Sequence, residues 1–180
     1  MRFAWDEHVS YLKNLGLSKP FRVLGRLMLT YLRVWDFGAA DRPDLLLANS
    51  DYTRKRIAKY YRKESRVVYP PVIFPAVSAP VPKGDYFLVV SRLTRSKKID
   101  MAVEAMNKLG LPLKVAGIGP EEVSLRKMAG KKVEFLGKVS DEELVHLYQG
   151  ARALIIPSEE DFGLVAVEAL AAGTPVIAYG

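Results

Sequence analysis

Beyond Gly84 the chain alternates short apolar runs with longer stretches whose apolar residues recur at helical spacing. Residues 86–90 (YFLVV), 113–116 (LKVA), 133–136 (VEFL), 153–156 (ALII) and 175–178 (PVIA) predict strands. Between them, residues 100–109, 121–128, 141–150 and 163–172 predict helices, the third capped by Ser140 with acids in its first turn. Strands of four or five apolar residues, each followed by a helix, read as a parallel sheet covered on both faces. The expected fold class is therefore α/β, a Rossmann-like, doubly wound parallel sheet.

The first part of the chain is patterned differently. Residues 6–36 carry apolar positions at helical spacing, interrupted at Ser18-Lys19-Pro20, and predict two helices. Arg22, Arg26 and Arg33 fall on the second, beside aliphatic and aromatic residues. That pattern fits a basic amphipathic surface, or a helix packed on a core with its arginines in water. Residues 44–48 and 66–69 predict strands flanking a basic helix at 51–62, with Asn49-Ser50 at its start. Five prolines lie within residues 70–84. The expected organisation is a first domain segment at 1–75, a linker at 76–84 and the Rossmann-like domain at 85–180.

Charge sharpens that division. Residues 1–75 hold fourteen Lys and Arg against seven Asp and Glu, which accounts for the whole net charge of +7. An anionic partner such as a membrane surface or nucleic acid would explain the asymmetry, and so would a solvated basic surface. The absence of cysteine excludes disulfides and thiolate metal sites and suits a reducing cytosol. Two histidines, His8 and His146, are far apart and leave little material for a metal site. No apolar run approaches the roughly 20 residues needed to cross a bilayer, and residues 1–10 do not read as a signal peptide. The expected location is cytoplasmic, with peripheral contact at the inner face of the membrane through residues 1–75.

In an open parallel sheet, ligands bind beyond the carboxyl ends of the strands. Three loops at that edge carry usable groups. The loop after residue 90 holds Arg92, Arg95, Lys97 and Lys98, cations that can grip phosphate oxygens. Gly117-Ile118-Gly119-Pro120 precedes a helix, where glycines allow close approach of a ligand; a tight turn explains them equally well. The third loop, residues 157–163, holds Glu159, Glu160 and Asp161 and leads through Phe162, Gly163, Leu164 and Val165 into a helix whose one charged residue is Glu168. Amides at that helix start suit a diphosphate, and a lone carboxylate on an otherwise apolar helix suits a sugar or ribose hydroxyl.

Residues 160–178 (EDFGLVAVEALAAGTPVIA), with Arg92, Lys97, the Gly117–Pro120 turn and residues 135–144 (FLGKVSDEEL), resemble the retaining glycosyltransferases of family 4. Ile118 stands where that family usually has Asp, and Lys98 where glycine is common. The resemblance covers residues 44–180 and implies the carboxyl-terminal, donor-binding half of a GT-B fold. It implies roles residue by residue. Glu160 would hold the donor sugar and Glu168 the ribose. Arg92 and Lys97 would neutralise the diphosphate leaving group, helped by the amides of residues 162–165, with Val139 near the base and Gly117 and Gly119 lining the nucleotide. It also implies retention of anomeric configuration without a divalent metal or other cofactor.

Residues 1–6 (MRFAWD), 31–36 (YLRVWD) and 69–72 (YPPV) are similar to mannosyltransferases that build surface polysaccharides such as lipopolysaccharide. That likeness implies GDP-mannose as donor and a glycan or lipid-linked acceptor. It further implies that residues 1–75 are the last part of an acceptor domain and that the family's closing segments would follow Gly180. The chain alone is thus expected to bind nucleotide and to transfer sugar weakly or not at all. Two rival readings are a glycoside hydrolase or phosphorylase using Glu160 and Glu168 as its carboxylate pair, and a basic nucleic-acid-binding module. Nucleic acid is not the expected partner, since stacking aromatics and a helix-turn-helix are lacking.

Overall fold

A computed structural model describes residues 2–6, 8–14, 18–72 and 82–179. The chain divides into two compact units, Met1–Pro70 and Pro71–Gly180, at the start of the proline-rich stretch. Residues 76–81 of the expected linker lie outside the described residues.

The first unit holds helices α1 (Arg2–Trp5), α2 (His8–Asn14) and α3 (Lys19–Ala39), strand β1 (Leu47–Ala48), helix α4 (Asp51–Tyr61) and strand β2 (Arg66–Val67). Three helices precede β1 where the sequence pattern predicts two, and α3 runs past Asp36 to Ala39. Ala4, Leu12 and Leu29 form a small core with Trp5 and Leu32. Gly25 lets α2 approach α3, because a Cβ there would lie 2.7 Å from Leu12 Cδ2. The Trp5 indole Nε1–H and the Tyr61 hydroxyl both donate to Asp36 Oδ2 at 2.7 Å. Burial alone would raise the Asp36 carboxyl; those two bonds, together with the positive amino terminus, outweigh it and hold the group below the usual carboxylate range. β1 and β2 pair in parallel over two residues only, Leu47 with Arg66 and Ala48 with Val67, so both strands are shorter than their apolar runs. Ser50 caps α4 by accepting from the Thr53 amide at 3.0 Å.

The second unit holds β3 (Phe87–Val90), a 3-10 turn (Arg95–Lys97), α5 (Ile99–Leu109), β4 (Leu113–Ala116), α6 (Glu122–Met128), β5 (Val133–Gly137), α7 (Asp141–Gly150), β6 (Ala153–Ile156), α8 (Leu164–Ala171) and β7 (Val176–Ala178). The five strands lie in the order β5-β4-β3-β6-β7, every pairing parallel. Side chains alternate across the sheet. Val89, Leu113 and Val115 pack with Val103 and Met106 of α5 and Leu125 of α6. Leu88, Leu154 and Ile156 pack on the other face with Tyr148 of α7 and Ala169 of α8. Each fully buried Leu or Val contributes about 1.5–3 kcal/mol, which makes this two-sided core the main support of the unit. A full capping box, Ser140 with Glu143, sets the start of α7.

The expected doubly wound α/β sheet is the fold observed. Its strand order also fixes where a ligand can bind. The chain steps outward from β3 to β4 and β5, then returns to the opposite side of β3 as β6. The order reverses between β3 and β6, and in open parallel sheets that reversal is where ligands bind, between the loops leaving the two strands.

Candidate functional site

The loop after β3 is held by backbone bonds rather than by its own side chains. Ser91 N donates to Ala116 O, Leu93 N to Ile118 O and Glu121 N back to Leu93 O, each at 3.0 Å, while Leu93 is fully buried beneath. This lacing explains the glycines of the neighbouring turn. A Cβ on Gly117, whose φ is +135°, would lie 1.9 Å from the Ser91 carbonyl oxygen, and one on Gly119 would lie 2.3 Å from that of Leu93. The Gly117 amide donates to Gly137 O at 2.7 Å and is therefore engaged within the protein. Close packing of two loops thus accounts for Gly117 and Gly119 here.

From that anchored loop the 3-10 turn projects Lys97. Lys98 closes the turn in the left-handed region (φ +50°), so the backbone keeps the conformation that a glycine would favour despite the lysine side chain. Lys97 Nζ donates to Glu160 Oε1 at 2.5 Å, and the two side chains are 33% and 27% exposed. Ser158, itself buried, donates to the same carboxylate oxygen at 3.4 Å. Residues 63 positions apart therefore meet across the crevice between β3 and β6. Partial burial places this pair between exposed pairs, worth about 0.2–1 kcal/mol, and buried ones, which cost about 3–5 kcal/mol to break. Arg92 lies on the same loop, exposed, and among the described residues makes no ion pair.

The Glu160 loop reaches α8 through Gly163, buried at the N-cap with φ +82°. The first amides of α8, from Leu164 and Val165, have no intrahelical acceptor by position and lie at the positive end of the helix dipole. One and a half turns later, Glu168 is half-buried and accepts a hydrogen bond from the Tyr148 hydroxyl at Oε2, 2.8 Å away. Tyr148 is 1% exposed. Burial first, and then the bond to Glu168, push its phenol well above the ordinary tyrosine range, so it remains a donor aimed at the carboxylate. Glu168 is thus not the lone carboxylate that its apolar helix suggests. The signal was present in α7, where Leu144, Val145 and Tyr148 share one face and a buried tyrosine hydroxyl needs an acceptor.

Tyr148→Phe tests that pairing. Losing the bond should cost about 1–3 kcal/mol near pH 8, measured by urea denaturation. Because the folded phenol is raised, its contribution is present below the unfolded value of about 10 and is lost as pH climbs above it. The stability gap between wild type and Tyr148→Phe should therefore shrink from pH 8 to pH 11.

Val139 is half-buried in the loop between β5 and α7. It leaves the sheet three strand spacings from β6, roughly 14 Å, at the same carboxyl edge. A cavity of about 320 Å³ lies elsewhere, lined by Thr94, Arg95 and Asp100 on one side and Glu121, Ser124 and Met128 on the other. Of the candidate cations its lining takes in Arg95, while Lys97, Glu160 and Glu168 lie outside it. Among the described residues, no group of three or more His, Asp or Glu is placed to hold a metal ion.

The chain is similar in sequence and fold to known proteins. Residues 74–180 match the family described as glycosyl transferases group 1. The uncharacterized glycosyltransferase MJ1607 of Methanocaldococcus jannaschii is 41% identical over 100 residues, covering 50% of this chain and 26% of its own length. Human alpha-1,3/1,6-mannosyltransferase ALG2 is 28% identical over 92% of the chain and 49% of its own length. The crystal structure of Anabaena Alr3699/HepE with UDP and glucose superposes with a TM-score of 0.70 at 19% identity, covering 81% of this chain and 47% of that one. The chain spans between a quarter and a half of the length of these proteins.

Proposed function

The chain belongs to the group 1 glycosyl transferases, and from that premise we propose that it forms the donor half of a retaining, family 4 glycosyltransferase. In this reading a sugar, mannose from GDP-mannose, moves from a nucleotide donor to a glycan or lipid-linked acceptor at the cytoplasmic face of a membrane, without a metal. The observation that carries the proposal is the contact of Lys97 with Glu160 at the strand-order reversal, beside the start of α8.

Each group then has work to do. Lys97, Arg92 and the first amides of α8 stabilise negative charge as the diphosphate leaves the anomeric carbon. Glu160 accepts hydrogen bonds from the sugar hydroxyls, while Glu168, steadied by Tyr148, accepts from the ribose. Val139, at the far side of the same edge, packs near the base. The mannosyltransferase name of the human relative supports mannose. The UDP and glucose named for HepE agree with a nucleotide-sugar donor as a class. A hydrolase or phosphorylase using the two carboxylates gains nothing from Lys97 neutralising one of them.

Calorimetry with GDP, UDP, ADP and their sugars tests the reading and chooses the base. Binding of one nucleotide family should weaken roughly tenfold or more in Glu168→Ala and in Arg92→Ala, as expected for a lost charge-assisted hydrogen bond. Equal binding by both variants and wild type would sink it.

A further inference from the structure

Lys98 stands in a conformation that a lysine resists. It closes the 3-10 turn and opens α5 with φ +50° and ψ +37°, in the left-handed region where a Cβ crowds the following carbonyl. A glycine would take that backbone without strain. A strained residue persists where its surroundings hold it, and here the side chain shows what does so. The Lys98 ammonium lies over the Tyr179 ring, 4.7 Å from the centroid and within cation–π range.

That contact joins parts of the sheet edge that are not neighbours. Lys98 leaves the edge after β3 and Tyr179 after β7, with β6 between them, so the two exits are two strand spacings, roughly 10 Å, apart. Tyr179 is fixed in turn by its amide, which donates to Ile156 O at 3.0 Å, at the root of the loop that carries Glu160. Lys97 crosses in the same direction, to Glu160 itself. Successive lysines thus tie one turn to both exits beyond it, one through a carboxylate and the other through an aromatic face. Within the turn, Lys97 N donates to Thr94 O at 3.0 Å and Lys98 N to Arg95 O at 3.3 Å, too little to fix so short a 3-10 helix by itself. Ligand binding removes one of the two outside ties. In the proposed function Lys97 turns to phosphate and Glu160 to the sugar, so their mutual bond no longer holds the turn. The Lys98 contact takes no part in that exchange. We propose that Lys98 and Tyr179 are positioning residues, whose cation–π contact braces the turn so that Lys97 keeps its place at the crevice when Glu160 releases it. This rests on the donor crevice proposed above, while the brace itself needs no nucleotide.

The test is a mutant cycle on the full 180-residue chain, read by calorimetry with whichever of GDP, UDP and ADP it binds. Tyr179→Leu should weaken binding about fivefold, the size of a lost cation–π contact, and Tyr179→Phe, which keeps the ring, should bind like wild type. Lys98→Gly should weaken binding equally with no fall in melting temperature, since glycine suits that backbone. Both changes together should cost no more than either alone. In a Lys97→Ala background neither should lower affinity further, because the brace acts through Lys97. Amide hydrogen exchange without nucleotide gives an independent reading. Protection of the Lys97 and Lys98 amides should fall in Tyr179→Leu and hold in Tyr179→Phe. Unchanged affinity in Tyr179→Leu and Lys98→Gly would overturn the proposal, as would equal losses with and without Lys97. Amide protection that ignores the loss of the Tyr179 ring would overturn it too. A chain that binds none of the three nucleotides, yet loses that protection in Tyr179→Leu, would refute the donor reading and leave the brace standing.

Discussion

Gly117→Ala is expected to unfold the sheet unit or lower its melting temperature by about 15 °C or more. The new Cβ would lie 1.9 Å from the Ser91 carbonyl oxygen and 2.9 Å from its carbon, both backbone atoms of the adjacent strand's exit. Neither partner can yield cheaply. Ser91 N is bonded to Ala116 O, Leu93 N to Ile118 O, and Leu93 sits fully buried between the sheet and α5. The φ of +135° adds strain that an L side chain resists. A cost above about 4 kcal/mol is a large part of a typical domain stability of 5–15 kcal/mol. In a unit of this size such a cost shifts the midpoint by 15 °C or more. Gly110→Ala is the control: its φ is +63° but nothing lies within 4 Å of a Cβ. It should cost only about 1–2 kcal/mol. Thermal unfolding of the two variants checks the contrast, and equal, small shifts would refute it.

The second large effect is a pair of opposite signs at one ion pair. Lys97→Ala removes the ammonium that meets Glu160 at 2.5 Å and leaves an uncompensated carboxylate facing an incoming diphosphate. Affinity for the nucleoside diphosphate should fall about a hundredfold, more than in Arg92→Ala, because a cation is lost and a repulsion exposed together. Glu160→Gln does the reverse. It releases Lys97 for the phosphates, so the bare nucleoside diphosphate should bind several-fold tighter. The additional affinity from the attached sugar should disappear, since the acceptor of its hydroxyls has been weakened. Calorimetry with the diphosphate and its sugar conjugate gives both numbers. A fall in diphosphate affinity for Glu160→Gln would contradict the roles assigned.

The sheet unit was legible because its signals are local. β4, α7 and β6 fall on the residues predicted, since four-residue apolar runs and the Ser140–Glu143 cap are written in adjacent positions. The first unit was less so. Trp5 is held by Asp36, 31 residues away, and β1 is cut to two residues by the length of its partner, neither of which a window of sequence contains. The predicted helical segment ends at Asp36, yet α3 continues through Gly38 to Ala39, because one glycine costs a helix only about 1 kcal/mol. At the site, the residue types pointed to phosphate and sugar chemistry, and the resemblance supplied their roles. The contact of Lys97 with Glu160 depended on strand order, and Tyr148 was missed because its partner lies on another helix.

The central claim is that Lys97, Glu160, Glu168 and the start of α8 form one donor crevice. The most direct measurement is an amide chemical-shift titration of the 20.1 kDa chain with the preferred nucleoside diphosphate. The largest shifts should fall on residues 97–98 and 162–165, with smaller ones near Val139 and Glu168 and none along α3. Shifts concentrated around Asp100 and Ser124, or no saturable shifts at millimolar nucleotide, would contradict it.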